Sequence, residues 1–348
     1  MGSGLQNRLR NLAKSLRNRL KMLAQSSMFR YLIRRLLYMI PVALGVSIIT
    51  FITMYAAGDP ISIIKAGKPN IDQVTINGLR AYYGLDKPIP LQYLTWLTNL
   101  LQLNFGKSLY GGQAVSQLIG PKIWPTIELQ VVSLLIAFAI SIPVAVHSAR
   151  KPYSKQDVFV TSFSLFGVSM PTFWFGLILI IVFSFSLGWL PSAGSQGAAG
   201  FVWWGNSVFD AVAHLILPVT VLVYVSLAQN IRLIRANMLE ILRTDYILAA
   251  RASGISERKV VYKYALRNAI TPAVTFLGIA LGGMIAGAPM TEYVFSWPGL
   301  GRQYVASTLN LDFPTIMAIT MIITVMTLIA NLIMDLLYVY IDPRVRIR

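Results

Sequence analysis

The chain has 348 residues, of which 55% are hydrophobic and only 12% are charged, and its mean hydropathy is +0.62. A water-soluble domain normally carries about 25% charged residues, so this composition excludes an ordinary soluble fold and indicates a protein embedded in lipid. The chain has no cysteine, which excludes disulfides and thiolate metal sites.

Six apolar windows are long enough to cross a bilayer as helices, which takes about 20 apolar residues each. A helical bundle is predicted because a lipid-exposed segment must satisfy its backbone hydrogen bonds internally. The windows are continuous rather than alternating, which argues against a β-barrel. The predicted fold is an all-α polytopic membrane protein with six transmembrane helices, at 36–56, 127–147, 158–187, 211–231, 270–290 and 314–341.

Basic residues gather on one side of this predicted topology. Residues 1–35 carry nine Lys or Arg and no acid, the 232–269 loop carries eight, and in all 23 of the 30 basic residues lie on that side. The positive-inside rule places both termini and the 232–269 loop in the cytoplasm. The 188–210 loop has no Lys or Arg and contains three tryptophans, as an outer loop would. The net charge of +17 therefore indicates a lipid partner and no nucleic acid.

Three regions are predicted along the chain. Residues 1–29 form a basic cytoplasmic arm, for which an interfacial helix on anionic lipid and a solvated arm both remain open. Residues 30–125 comprise a first span, retained rather than cleaved, and a large extracytoplasmic cap, since a structureless connection of that length would be unusual. In the cap, residues 91–103 are predicted as an amphipathic helix near the membrane surface. Residues 126–348 form a five-helix core with the cytoplasmic loop.

Sequence motifs that would indicate catalysis, nucleotide binding or metal binding are incomplete in this chain. Residues 104–108 end like a phosphate-binding P-loop, but Leu101 stands where the pattern needs a glycine. His147 and His214 are predicted on opposite sides of the membrane, and a metal site needs several convergent ligands. We predict no catalytic, cofactor-binding or metal site in this chain.

Carboxylates and prolines within the predicted spans are also informative. Glu128 opens the second span and Asp335 lies before the end of the last. A proton-coupled carrier would pair such carboxylates near the midplane, whereas the favoured interpretation is a helix-end carboxylate paired with a basic residue. Pro143, Pro171 and Pro218 are expected to kink their helices, because proline removes a backbone donor.

The fifth predicted span carries two small-residue patterns, each with glycines four residues apart. Such spacing lets helix backbones approach closely. A contact along a pathway, a contact with a second subunit and a static contact within one bundle all remain open. The glycines are Gly278, Gly282, Gly283 and Gly287.

The 232–269 loop has the features of a docking element. Thr244 is expected to cap a short helix that begins at Asp245, whose carboxylate is favourable at a helix N-terminus. Gly254 can adopt positive φ and end that helix, and Ser256 would cap a second one. Two short helices at an angle would project a narrow corner into a groove on a partner. The predicted docking residues are Asp245, Ala249, Ala250, Gly254, Ser256 and Glu257.

This loop resembles the EAA loop of ABC-importer permeases, in which Glu-Ala-Ala is followed after three residues by glycine. Ala249, Ala250 and Gly254 match that spacing, whereas Leu248 replaces the glutamate and Arg267 replaces a later proline. Residues 30–348 resemble the first permease subunit of dipeptide and oligopeptide importers. The motifs that carry this wider resemblance include Arg34-Arg-Leu-Leu, Gly58-Asp-Pro, Pro171-Thr-Phe-Trp, His214-Leu-Ile-Leu-Pro, Arg235-Ala-Asn-Met-Leu-Glu, Glu292-Tyr-Val-Phe-Ser-Trp-Pro-Gly-Leu-Gly-Arg302 and Asp342-Pro-Arg-Val-Arg.

The resemblance implies a type I ABC-importer permease fold within a machine of several subunits. Its partners would be a second homologous permease, two ABC ATPase subunits and an extracytoplasmic solute-binding protein that delivers short peptides. ATP and Mg²⁺ would bind the ATPases, so this chain would bind no cofactor. The same machine carrying oligosaccharides and a stand-alone proton-coupled carrier are the alternatives. The residues that the resemblance places near the outer mouth of the pathway are Glu292, Trp297, Pro298 and Arg302.

Overall fold

The computed structural model describes residues 27–58, 61, 65, 72–196, 207–272 and 287–341, and its regular secondary structure within these ranges is helical. In chain order the helices are α1 (Ser27–Ala57), α2 (Gln73–Tyr83), α3 (Ile89–Leu101), α4 (Val115–Arg150), α5 (Lys155–Ser169), α6 (Thr172–Leu179), α7 (Ser207–Ile241), α8 (Asp245–Ala252), α9 (Glu257–Lys259), α10 (Leu266–Ala269), α11 (Pro289–Val294), α12 (Leu300–Leu309) and α13 (Phe313–Ile341). Two π-helical stretches, Ile180–Ser186 and Val260–Ala265, follow α6 and α9.

Four helices are long and apolar enough to cross a membrane, namely α1, α4, α7 and α13. The number rises to five if α5 and α6 form one bent span. The predicted span 270–290 lies mostly outside the described residues. The all-α, multi-pass architecture is therefore confirmed for the part of the chain that the structure describes, and the sixth span stays a prediction.

The third predicted span, 158–187, is not one straight helix. The axes of Lys155–Gly167 and Thr172–Ser186 differ by 103°. Met170 and Pro171 are extended at the break, with ψ of 125° and 128°, because a proline ring disfavours helical backbone at the preceding residue and supplies no N–H. Pro143 and Pro218, in contrast, lie inside continuous helices. Pro171 therefore breaks its helix, which is more than the kink expected.

Two helix boundaries also differ from the predicted windows. The helix α4 begins at Val115, so Glu128 lies well inside it rather than at its start. The helix α7 continues to Ile241, so the first ten residues of the predicted 232–269 loop are helical. Hydropathy marks only the apolar part of a span, whereas the helix continues wherever its backbone hydrogen bonds are satisfied.

The helices α4 and α7 form the most extensive contact in the described structure. Small residues on α4 let the two backbones approach, and apolar clusters join Ala137 to Val219 and Ala145 to Ile234. Close packing matters here because lipid is as apolar as the side chains, so helices in a membrane associate without a hydrophobic driving force. Buried small residues recur at every fourth position of α4, at Ser133, Ala137, Ser141, Ala145 and Ala149.

The helix α1 lies at the edge of the bundle, against α13 and α3. Arg35 of α1 and Asp335 of α13 form an ion pair, with 3.0 Å between Nη1 and Oδ2. The interpretation of Asp335 as a carboxylate paired with a basic residue is therefore confirmed.

The contact between α4 and α7 predicts the effect of enlarging a small residue. Ala137→Leu would add bulk at a fully buried position and should lower the free energy of unfolding by about 1–3 kcal/mol, as overpacking does. Ala139→Leu makes the same change at an exposed position of the same helix and should leave stability close to that of the wild type. Thermal unfolding of the purified protein measures both, and equal midpoints for the two variants would contradict the prediction.

Candidate functional site

The chain after α7 folds into a corner, which we define as α8, the turn 253–256 and α9. The turn is a Schellman motif, in which the Gly254 N–H donates to the Arg251 carbonyl at 3.0 Å and the Ile255 N–H donates to the Ala250 carbonyl at 3.2 Å. Gly254 has a φ of 75°, in the left-handed region that a side chain disfavours. The first corner helix therefore ends at this glycine, as the sequence predicts.

The capping of the corner helices differs from the prediction. The Thr244 hydroxyl precedes α8 but donates to the Ile241 carbonyl at 2.6 Å and accepts no bond from α8. Ser256 precedes α9 and likewise makes no side-chain cap. An ion pair joins the two helices instead, since the Arg251 guanidinium donates to both carboxylate oxygens of Glu257, at 2.9 and 3.1 Å.

One face of the corner is buried against the bundle. Ile247 and Ala250 of α8, together with Val260, belong to one apolar cluster with the C-terminal ends of α4 and α7. The Tyr246 hydroxyl accepts a hydrogen bond from the Asn268 amide at 2.9 Å, which ties α8 to α10. Ala250, predicted as a docking residue, therefore faces the bundle and anchors the corner. A displacement of the corner would act directly on α4 and α7.

The other face of the corner is open. Leu248 keeps 51% and Tyr246 keeps 44% of its surface exposed. A Cβ built on Gly254 meets nothing within 4 Å, so the backbone conformation, and not crowding within the chain, calls for glycine there. The other predicted docking residues are all exposed, namely Asp245, Ala249, Gly254, Ser256 and Glu257.

A buried ion pair lies at the same end of the bundle as the corner. Asp157 is only 2% exposed and accepts two hydrogen bonds from the Arg235 guanidinium, at 2.6 and 2.7 Å. Its carboxylate also accepts bonds from the Ser148 hydroxyl and, at 2.8 Å, from the Tyr153 N–H. This one side chain therefore joins the ends of α4, α5 and α7.

The sequence prediction missed this ion pair because Asp157 and Arg235 are 78 residues apart. A local signal was present at the start of α5, where a serine precedes Asp157 by three residues. In the structure the Ser154 hydroxyl accepts the Asp157 N–H at 3.3 Å, which caps the helix. That pattern predicts a helix start but does not reveal the distant arginine.

Of the residues predicted near an outer mouth, Glu292 lies in α11, Arg302 lies in α12, and Trp297 and Pro298 lie in the turn between these helices. This segment packs on the N-terminal part of α4. Glu292 and Trp297 are buried, Pro298 is half-buried and Arg302 is exposed. The Trp297 indole donates to the Pro125 carbonyl at 2.9 Å. These residues therefore fix the contact between α11, α12 and α4, and their place beside a pathway stays a prediction.

The Glu292 carboxylate is the centre of this contact. It accepts hydrogen bonds from the Thr126 hydroxyl at 3.1 Å and from the Arg302 N–H at 3.2 Å. A Cβ on Gly287 would lie 2.6 Å from Glu292 Oε1, so a glycine is needed there for close approach. Gly287 lies just before α11, outside any helix, and its role in a pathway, a subunit contact or static packing stays a prediction. Gly278, Gly282 and Gly283 lie outside the described residues. Within the described ranges, no three His, Cys, Asp or Glu side chains form a group that could hold a metal.

A multi-pass helical bundle with an anchored corner that is exposed on one face defines the class as an integral membrane protein. Comparison with known families agrees with that class. Residues 141–347 match the family described as binding-protein-dependent transport system inner membrane component, and residues 28–117 match the N-terminal part of such membrane components. The chain therefore belongs to the family of binding-protein-dependent transport system inner membrane components.

Curated relatives cover nearly the whole chain. The oligopeptide transport system permease protein AppB of Bacillus subtilis is 43% identical over 91% of this chain and 99% of its own length. The dipeptide transport system permease protein DppB of Escherichia coli K12 is 36% identical over 92% of this chain and 99% of its own length. A chain from a crystal of the MetNI methionine ABC transporter is similar at a TM-score of 0.49 and 18% identity, covering 65% of this chain and 97% of that one.

The two arginine–carboxylate pairs near the corner predict very different mutational effects. Arg235→Ala would leave the buried Asp157 carboxylate without its guanidinium and should lower the free energy of unfolding by about 3–5 kcal/mol. Arg251→Ala removes the guanidinium from the exposed pair with Glu257 and should cost about 0–1 kcal/mol. Thermal unfolding compares the two variants, and a similar loss in both would show that burial of Asp157 is not decisive.

Glu292 predicts a pH dependence of stability. It lies outside the candidate spans, and its burial raises the pKa of its carboxyl above 4.5 despite the bonds from Arg302 and Thr126. A group whose pKa is raised in the folded state contributes stability at acid pH. This stability is lost as pH rises through the folded-state pKa. Glu292→Gln should therefore reduce the loss of stability as pH rises above 4.5.

Unfolding temperature measured across that pH range tests the Glu292 prediction. Glu257→Gln is the control, because the hydrogen bond from Arg251 lowers the pKa of Glu257. The contribution of Glu257 to stability is instead lost as pH falls. Its substitution should therefore leave the fall in unfolding temperature at rising pH unchanged. An equal fall in unfolding temperature for wild type and Glu292→Gln as pH rises above 4.5 would refute the predicted role of Glu292.

Proposed function

We propose that this chain is the membrane-spanning permease subunit of an ATP-driven importer of short peptides, and that its corner couples it to cytoplasmic ATPases. The observation that carries the coupling role is the open corner around Gly254, whose other face is anchored to α4 and α7. The family supports a role in transport, and relatives named as oligopeptide and dipeptide transport permeases support peptides as the solute class.

The mechanism follows from the way the corner is held. The exposed side of α8 enters a groove on an ATPase, and closure of the ATPases on ATP moves the corner. Because Ile247, Ala250 and Val260 are packed among the ends of α4 and α7, that motion passes to both helices. The Asp157–Arg235 pair extends the connection to α5. The permease thereby switches the side of the membrane to which its pathway opens.

The proposal includes the arrangement and partners of the chain. Six spans with both termini in the cytoplasm would place the corner beside the ATPases, in accord with the basic residues of the 232–269 loop. A second homologous permease completes the pathway, two ATPase subunits bind ATP and Mg²⁺, and an extracytoplasmic protein delivers the solute. This chain contributes packing, docking and a pathway wall, and no hydrolytic chemistry.

Two alternatives have less support. An oligosaccharide importer would use the same architecture, but the relatives reported above are named for peptides. A stand-alone proton-coupled carrier would use membrane carboxylates for proton transfer, yet Asp335 is engaged by Arg35. Reconstitution of the permeases with the ATPases and the binding protein separates the three functions. ATP hydrolysis that is stimulated by peptides supports the proposal. Stimulation by oligosaccharides alone would show a sugar importer instead, and uptake without ATPases would show a stand-alone carrier.

The coupling role predicts the effect of a bulky residue at the tip of the corner. Gly254→Leu should abolish solute-stimulated ATP hydrolysis and uptake while leaving membrane insertion intact, because the side chain would occupy the space that the partner needs. Gly112→Leu is a matched control: Gly112 also has positive φ, 69°, and open space around it. This control imposes similar backbone strain at the opposite end of the bundle and should keep coupling. Unchanged ATP-driven uptake in Gly254→Leu would overturn the docking role.

A further inference from the structure

The helix α3 packs against α1 at a depth where lipid surrounds the protein. The Ser47 and Tyr93 hydroxyls are 2.8 Å apart, and the Phe51 and Tyr93 rings meet edge to face at 5.4 Å. Ser47 lies ten residues before the end of α1 at Ala57, which corresponds to about 15 Å along a helix. The helix α3 therefore lies at the level of one membrane leaflet, which the proposed orientation makes the outer leaflet.

A cavity of about 580 Å³ lies between α1, α3, the segment 104–109 and the start of α13. Its lining includes the apolar side chains of Phe51 and Met54 of α1 and of Phe313 and Met317 of α13. Sites for small organic molecules typically have about 300–1,000 Å³. The cavity is therefore large enough for part of an organic molecule, and these apolar side chains suit an apolar chain.

The lining of the same cavity also includes polar side chains. Gln92 and Asn99 of α3 and Asn104 contribute carboxamides, and Arg80 of α2 contributes a guanidinium. Carboxamides and guanidinium groups donate hydrogen bonds well suited to phosphate and ester oxygens. A lining with both apolar and polar side chains matches an amphipathic molecule.

The wall formed by the segment 104–109 is held in place by buried hydrogen bonds. The Asp312 carboxylate accepts bonds from the Ser108 hydroxyl, from the Leu109 N–H at 2.9 Å and from the Thr315 hydroxyl at 2.7 Å. Asp312 is 2% exposed and immediately precedes α13. These bonds fix the segment 104–109 to the start of α13, which also lines the cavity. The relative positions of these two walls are therefore fixed by hydrogen bonds.

Apolar side chains flank the cavity on the protein surface. Ile52 of α1 is 57% exposed, and Leu91 and Leu94 of α3 are 50% and 52% exposed. Exposed apolar surface of this kind at membrane depth faces lipid. A molecule that already resides in that leaflet reaches the cavity along these flanks without leaving an apolar medium.

We propose that this cavity binds one phospholipid, with an acyl chain against Phe51, Met54, Phe313 and Met317 and its head group at the carboxamides and guanidinium of the lining. The bound lipid would fill the space between α1, α3 and α13 and hold the cap segment on the bundle. This inference concerns a different part of the molecule from the corner and does not depend on which solute is transported.

Native mass spectrometry of the assembled transporter, stripped progressively of lipid, tests this proposal. Wild type should retain one phospholipid after the surrounding lipids are removed. Met54→Trp and Thr95→Trp, which fill the cavity from α1 and from α3, should lose it. Ile52→Trp places the same ring on the exposed side of α1 and should keep it.

Two outcomes would overturn the lipid site. One is a wild-type assembly that retains no phospholipid, and the other is equal retention in Ile52→Trp and a cavity-filling variant that assembles. Extraction without detergent, into polymer-bounded discs, distinguishes a membrane lipid from a detergent molecule that enters during purification. Solute-stimulated ATP hydrolysis, measured on the same wild-type preparation, tests the proposed function separately, so failure of one proposal leaves the other distinguishable.

Discussion

Close packing between α4 and α7 is the constraint on which the rest of the described structure depends. Lipid gives two helices no hydrophobic reason to associate, so their contact relies on the alanines and serines that recur along α4. The corner is anchored at the C-terminal ends of these two helices, and Trp297 packs with Leu129 and Val219 nearer their N-terminal ends. A bulky residue among these alanines and serines would therefore disturb the contact on which both ends of the bundle are built.

The two ends solve the problem of polar groups near a membrane in different ways. At the corner end, the Asp157 carboxylate is fully matched by a guanidinium, a hydroxyl and a backbone N–H. At the other end, the Glu292 carboxylate relies on the Thr126 hydroxyl and on backbone N–H groups, including that of Arg302. Burial therefore raises the pKa of Glu292. At the corner end, an ion pair holds three helices together. At the other end, the contact depends on the fit between the Glu292 carboxyl and nearby glycines.

Hydropathy and turn chemistry predict much of this molecule. Long apolar windows identify four of the spans, and Gly254 marks the end of α8 because its backbone conformation follows from local rules. What the sequence does not reveal depends on contacts across the fold. The partner of Asp157 lies 78 residues away, and Thr244 bonds back to α7 instead of capping α8. The 103° bend at Pro171 likewise exceeds the kink that the proline alone predicts.

Leu248 shows how an imperfect motif acquires a physical meaning in the structure. It stands where the resemblance would place glutamate, and half of its side chain is exposed on the open face of the corner. An exposed leucine gains free energy when a partner removes it from water, whereas a glutamate in that position would need a cation or a hydrogen-bond donor. Under the proposed function, the groove that receives this corner should therefore offer an apolar contact to Leu248. The partner's selectivity for this permease would then depend in part on shape and apolar area, with the Arg251–Glu257 pair fixing the angle at which the leucine is presented.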